Sequence, residues 1–292
     1  MKLLVAFALI GLAAGGVVKD ASFDSPVEID YHNKIGIPLA TQLKAAEEAH
    51  DFDGSRIVGG GTASLGQYPF IGGLVITLTT GQTSVCGSSL LTNTRGVTAA
   101  HCWRALFSQA RSFTVVYGST LLFSGGTRVT TSDVEMHANY NMITLVNDIA
   151  IIRLPWVTFN SKHVSFDRFP IAIATGSNNY AGTWAWAAGW GLTSDNGFIS
   201  NNQYLSHVQV QVVTNAVCQS TYGSSIQDST LCVATTGGRG TCGGDSGGPL
   251  TNAANNQLIG VTSFGHRDGC QLGHPAGFAR VTAFAAWLQA RL

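Results

Sequence analysis

The chain has 292 residues, sixteen basic against sixteen acidic side chains, and a hydrophobic fraction of 45%. It is long enough to bury a sizeable core, and a balanced charge without any basic run excludes a nucleic-acid binder. Past the first sixteen residues no segment reaches eighteen consecutive apolar residues, which excludes a helical membrane span.

Residues 1–16 carry Lys2, an apolar run over 3–12 and small residues through Gly16. That order of charge, apolar block and small residues predicts a secretory signal peptide, too short to cross a bilayer as a helix, and hence a secreted, extracellular product. Residues 17–56 shift in composition. Asp20, Asp24, Glu28, Asp30, Glu47, Glu48, Asp51 and Asp53 place half of all the acid in this short leader. Pro38 followed by Leu39 and Leu43 predicts a short helix over 39–50. The leader has no cysteine.

From residue 57 onward, short β patterns alternate with Gly, Asn, Ser and Thr. The segment 208–212 reads Val-Gln-Val-Gln-Val, and 113–117, 149–154, 183–188 and 258–264 are further strand candidates. So many short strands predict an all-β sandwich or barrel. Residues 281–292 place Phe284, Trp287 and Leu288 at helical spacing and predict a terminal helix packed on the strands that precede it. Trp184, Trp186 and Trp190 read as core rather than as a ligand platform.

Three segments carry chemistry. Cys242-Gly243-Gly244-Asp245-Ser246-Gly247-Gly248-Pro249 surrounds a serine with glycines, Thr98-Ala99-Ala100-His101-Cys102 offers a base, and Asp148 enters the apolar run Ile149-Ala150-Ile151-Ile152. A serine hydroxyl becomes a useful nucleophile when a histidine takes its proton and backbone donors stabilise the oxyanion. A buried aspartate would fix the histidine tautomer. Gly244-Asp245-Ser246-Gly247-Gly248 also satisfies G-x-S-x-G, but in α/β-hydrolases acid and histidine follow the serine. Here Asp268 is the sole acid after Ser246, and no strand-to-helix pattern surrounds the motif. Six cysteines in an exported chain should be paired, and spacing alone leaves fifteen pairings open. The absence of any C-x-x-C or H-x-x-x-H pair argues against zinc.

With Ile57-Val58-Gly59-Gly60, Gly189-Trp190-Gly191 and Ser263-Phe264-Gly265 added, the chain resembles the chymotrypsin and trypsin family of serine proteases over 57–292, in general style the digestive chymotrypsin-like enzymes of insects. The resemblance implies two six-stranded antiparallel β-barrels with a C-terminal helix. His101 and Asp148 would come from the first barrel and Ser246 from the second, with oxyanion donors from Gly244 and Ser246. It pairs Cys86 with Cys102, Cys218 with Cys232, and Cys242 with Cys270. It also makes residues 17–56 a propeptide of a zymogen, cut by a trypsin-like protease at Arg56-Ile57 so that the new α-ammonium pairs with Asp245. Residues 57–292 would form the protease domain.

For specificity, the position that is aspartate in trypsin-like relatives is Gly240, so a substrate Arg or Lys would be buried unpaired. Ser263 and Gly265 would pair with an extended substrate, His266 could touch it, and Ala276 adds a methyl to the pocket wall. Cleavage after Phe, Tyr, Leu and Met is expected, with Trp weakened. Elastase- or collagenase-like specificity, a cascade protease, and an inactive homologue acting by binding are the alternatives. All three triad residues argue against the last; the lack of an upstream cysteine-rich domain argues against the cascade. No cofactor or metal is expected. No acidic residue lies between His101 and Asp133, so a calcium loop lacks its oxygen ligands. The expected partners are protein and peptide substrates, the activating protease and protein inhibitors, with the enzyme a monomer that binds neither nucleic acid nor membrane. Lys162 is the one lysine from 57 to 292 against ten arginines. Because arginine stays charged where lysine does not, this suits a strongly alkaline lumen such as an insect midgut.

Overall fold

A computed structural model describes residues 25–49, 61–158, 170–195, 199 and 204–292. The signal segment 1–16 and the bond between Arg56 and Ile57 lie outside the described residues. Among those described, no helix is long and apolar enough to cross a membrane.

Two antiparallel sheets carry the fold. The C-terminal one comprises β9 (Trp184–Gly189), β10 (Ser206–Val213), β11 (Thr230–Val233), β12 (Pro249–Asn252), β13 (Leu258–Phe264) and β14 (Ala276–Arg280). Its pairings run β10, β11, β14, β13, β12, β9 and back to β10, a closed six-stranded barrel. The short β1 (Gly61–Thr62) is appended to β10. In β10, Val208, Val210 and Val212 point inward and Gln209 and Gln211 outward, as a half-buried strand requires. β13 is buried along its whole length, Thr262 and Ser263 included.

The N-terminal sheet comprises β2 (Ile71–Leu78), β3 (Thr83–Thr92), β4 (Arg95–Thr98), β5 (Ala110–Tyr117), β6 (Thr127–Thr131), β7 (Val134–Met136) and β8 (Ala150–Arg153). Its order is β6-β5-β2-β3-β4-β8-β7, so it is seven strands paired in an open sequence rather than a closed six. The extra strand arises at Thr131, whose hydroxyl donates to Arg153 O and accepts from Asp133 N. This local turn splits one bent strand into β6 and β7.

Three α-helices are present among the described residues. α1 (Ile37–Glu48) continues a π-turn over His32–Gly36 and carries Pro38 in its first turn, where a missing N–H costs nothing. It begins two residues before the expected start. α2 (Asn215–Tyr222) was not expected; it is short and polar, and is fastened to β11 by the bridge between Cys218 and Cys232. α3 (Val281–Gln289) buries Phe284, Ala285 and Leu288. It does more than pack on the second barrel. Phe284 and Trp287 meet the His137 ring, Arg291 pairs with Glu135, and Arg95 Nε donates to Arg291 O. The helix and the residues after it thus latch the C-terminal barrel to the N-terminal sheet.

Candidate active site

His101 sits on a 3-10 turn (Ala100–Cys102) directly after β4, and the bridge between Cys102 and Cys86 of β3 holds that turn. Asp148 enters just before β8, after Asn147 has taken a left-handed backbone (φ 59°). It is 1% exposed. A carboxylate this deeply buried needs several donors, and three converge. His101 N donates to Oδ1 at 2.9 Å; His101 Nδ1 and Ser263 Oγ meet Oδ2 at 2.7 and 2.5 Å. With its proton on Nδ1, the imidazole keeps Nε2 as a base.

Ser246 lies where the two sheets meet. Gly87 N donates to Ser246 O at 2.7 Å, and Gly247 N donates to Thr262 O at 2.8 Å. Gly244 has φ +101°, open to glycine and to few other residues. His101, Ser246, Ser263, Gly265 and His266 line one cavity. Among the described residues, however, no hydrogen bond joins Ser246 Oγ to His101 Nε2. The side chain packed edge-on against the imidazole is Tyr31 of the leader, with ring centres 4.8 Å apart.

Asp245 points inward. Its carboxylate accepts from Gly191 N and Cys242 N, both at 2.9 Å. Burial pushes its pKa up to about 6 despite these two bonds. Gly189 and Gly191 have to be glycine, because a Cβ on either would fall within 2.5 Å of that carboxylate.

The remaining expected positions separate. Ser263 and Gly265 border the cavity, and a Cβ on Gly265 would meet nothing within 4 Å. Gly240 and Ala276 are buried and do not line it. Next to Gly240 stands Thr235, which sequence reading missed; its methyl would lie 2.9 Å from a Cβ at 240, and its hydroxyl donates to His274 O. No motif marks it, because it is brought there by the fold alone. All three cysteine pairs match those implied by the resemblance.

The leader occupies the same cleft. Val27 forms an antiparallel bridge with His266, Pro26 O accepts from Arg267 N at 2.8 Å, and Val27 packs with Leu145, Tyr222 and Phe264. Tyr31 Oη donates to Val85 O, and His32 Nδ1 meets Ser84 Oγ at 2.8 Å. Leu39 and Leu43 of α1 are essentially unexposed, each contributing about 1.5–3 kcal/mol by burial. A Cβ on Gly244 would come within 2.1 Å of Leu39 Cδ2, so that leucine covers the glycine expected to donate to the oxyanion. At the far end of α1, Glu47 accepts from Leu122 N and Phe123 N at 2.7 and 2.9 Å.

His32 makes this docking sensitive to pH. Burial first, and the neighbouring His101 second, lower its pKa to about 4; Tyr31, Ser84 and His101 are the groups that face it. A free leader takes up this proton near the ordinary value of 6.5, whereas the docked one resists it. Docking is therefore at full strength above pH 6.5 and weakens as pH falls towards 4, by about 3 kcal/mol at most. Amide exchange of residues 31–48 should accelerate between pH 7 and pH 4.5 after correction for the intrinsic rate. Equal protection at both would show that the imidazole is not strained by burial.

Residues 57–288 match the Trypsin family. Serine protease 1 of Drosophila melanogaster is 39% identical over 237 residues, 80% of this chain and 84% of that protein. Trypsin, alkaline B of Manduca sexta is 38% identical over 256 residues, 84% and 94% of the two chains. Collagenase of Hypoderma lineatum is 35% identical over 238 residues, 80% and 86%. A solved structure of HL collagenase superposes with a TM-score of 0.72 at 34% identity, covering 80% of this chain and 98% of that one. Likeness of this extent in both sequence and fold settles descent, and the chain belongs to the trypsin family and is a serine endopeptidase.

Proposed function

We infer that the protein is an exported precursor whose residues 1–16 direct secretion, whose residues 17–56 are removed by a trypsin-like protease at Arg56-Ile57, and whose residues 57–292 cleave peptide bonds after large apolar side chains. Peptide and protein substrates, the activating protease and protein inhibitors are its partners, and it acts as a monomer without a cofactor. The observation that carries the catalytic reading is the buried Asp148 carboxylate, held by His101 Nδ1 and Ser263 Oγ, two residues that line one cavity with Ser246.

Once the leader has left, His101 Nε2 takes the proton of Ser246 Oγ as that oxygen adds to the substrate carbonyl. Asp148 supports the resulting imidazolium, and the N–H groups of Gly244 and Ser246 receive the oxyanion. The imidazolium then protonates the leaving amine, and water, deprotonated by the same nitrogen, releases the acyl group. Asp245 is the switch. It is buried with a pKa near 6, so at pH 7 it is a charge in need of a counter-ion, which the α-ammonium of Ile57 would supply.

Gly240 supports the apolar preference, since no carboxylate stands there to pair with a substrate Arg or Lys. The arginine bias, and a Manduca sexta relative named an alkaline trypsin, support a digestive role in an alkaline lumen. Trypsin-treated protein assayed on a peptide panel from pH 6 to 11 should cut after Phe, Tyr, Leu and Met, with activity kept above pH 9. Dominant cutting after Arg or Lys would overturn the pocket reading, and collapse above pH 9 the alkaline one. Collagenase-like specificity is the second reading, favoured by the likeness to HL collagenase; fibrillar collagen in the same panel decides it.

A further inference from the structure

The leader does more than cover the site, because its path matches what a protease cleft accepts while denying it a bond to cut. Residues 26–27 pair antiparallel with 266–267, directly beyond the Ser263 to Gly265 segment expected to hold extended substrates. Continued in that direction, the chain reaches His101 at Tyr31. There it leaves the extended form and enters the helical run that becomes α1. Helical carbonyls are already hydrogen-bonded within the helix, so the run from Tyr31 onward presents none of them to Ser246. Leu39 instead lies on Gly244, and Ile35 on Gly243, where a Cβ would come within 2.9 Å of its Cγ2. The far end is fixed by the Glu47 carboxylate on two backbone N–H groups, charge-assisted bonds that a specific ligand makes.

Nothing covalent retains this segment after Arg56-Ile57 is cut, because residues 17–56 contain no cysteine. Yet Tyr31, His32, Leu39, Leu43 and Glu47 are all buried, and the contacts described for Tyr31, His32, Leu39 and Glu47 reach Val85, Ser84, Gly244 and the amides of Leu122 and Phe123, all beyond the bond to be cut. We propose that residues 25–49 are a helical peptide inhibitor that stays bound after cleavage. The protease domain therefore has a binding site for an amphipathic helix running from Gly243 and Gly244 to the amides of Leu122 and Phe123. Cleavage arms the enzyme, and dissociation of the leader turns it on. This rests on the activation reading above.

The test uses the full chain cleaved by trypsin at Arg56-Ile57, beside a full chain carrying Leu39→Asp and Glu47→Ala cleaved in the same way. Reactive serine is counted with a serine-directed phosphonate from micromolar to nanomolar enzyme. The wild type should titrate by less than one-tenth when concentrated and fully when diluted, and synthetic peptide 25–49 added to the diluted enzyme should reverse this. The double variant should titrate fully at every concentration. Should the double variant fail to fold, Glu47→Gln, which keeps size and weakens only the charge-assisted bonds, should shift the wild-type dilution midpoint upward at least tenfold. Full titration of concentrated wild type overturns the proposal while leaving the activation reading intact. Zero titration of both chains at every dilution overturns the activation reading and the proposal with it.

Discussion

On the activation reading proposed above, Asp148→Asn in the trypsin-treated chain is expected to lower kcat about 10⁴-fold with KM little changed. The Asp148 carboxylate receives three donors and offers none. An asparagine there has one accepting oxygen and an NH2 group. If its oxygen faces His101 N, its NH2 faces His101 Nδ1 and Ser263 Oγ, and the imidazole must move its proton to Nε2 to accept that bond. A protonated Nε2 cannot take the proton of Ser246. If the amide flips, NH2 opposes the His101 backbone N–H, and the turn that carries the base is disturbed. The signature is a loss in kcat that eases as pH rises, when hydroxide can replace the missing base. A variant that kept more than one-tenth of wild-type kcat at pH 8 would remove Asp148 from the mechanism.

The parts of this site that could be read from residues alone are those where chemistry demands a particular side chain next to a particular neighbour. His101, Asp148 and Ser246 were legible because each sits in a short motif, and the structure brings the first two into contact while Ser246 borders the same cavity. Strands with one wet face, such as β10, were legible from alternation. The split of β6 from β7 was not, because it depends on where one threonine hydroxyl finds its carbonyl. Thr235 was invisible for the same reason: it reaches Gly240 through folding, not spacing. The leader helix was visible in Leu39 and Leu43, but its purpose was hidden. A buried apolar stripe does not state what buries it, and the surface that does so comes from segments more than seventy residues downstream, at 122–123, and two hundred downstream, at 243–244.

Gly247→Ala is expected to destabilise the protein by about 2–5 kcal/mol and to remove activity together with stability. Gly247 has φ +79°, a region that costs an L-residue about 1–2 kcal/mol. Its added methyl would lie 2.1 Å from Thr98 Oγ1, 2.4 Å from Gly87 O and 3.2 Å from Ala99 N. The Gly87 and Ala99 contacts are backbone, of β3 and of the residue that follows β4, and cannot rotate away, so overpacking adds about 1–3 kcal/mol. The seam cannot open without consequence, because Thr98 Oγ1 donates to Gly87 O while Gly87 N donates to Ser246 O. Pushing the sheets apart at Gly247 therefore moves the serine away from the sheet that carries His101 and Asp148. The glycines after Ser246 are there to let the two sheets touch backbone to backbone. Gly265→Ala is the control: its φ is not left-handed and its methyl meets nothing within 4 Å, so its unfolding midpoint in guanidinium should match wild type. Gly247→Ala should unfold at a much lower concentration, and a midpoint equal to that of Gly265→Ala would show that the seam yields.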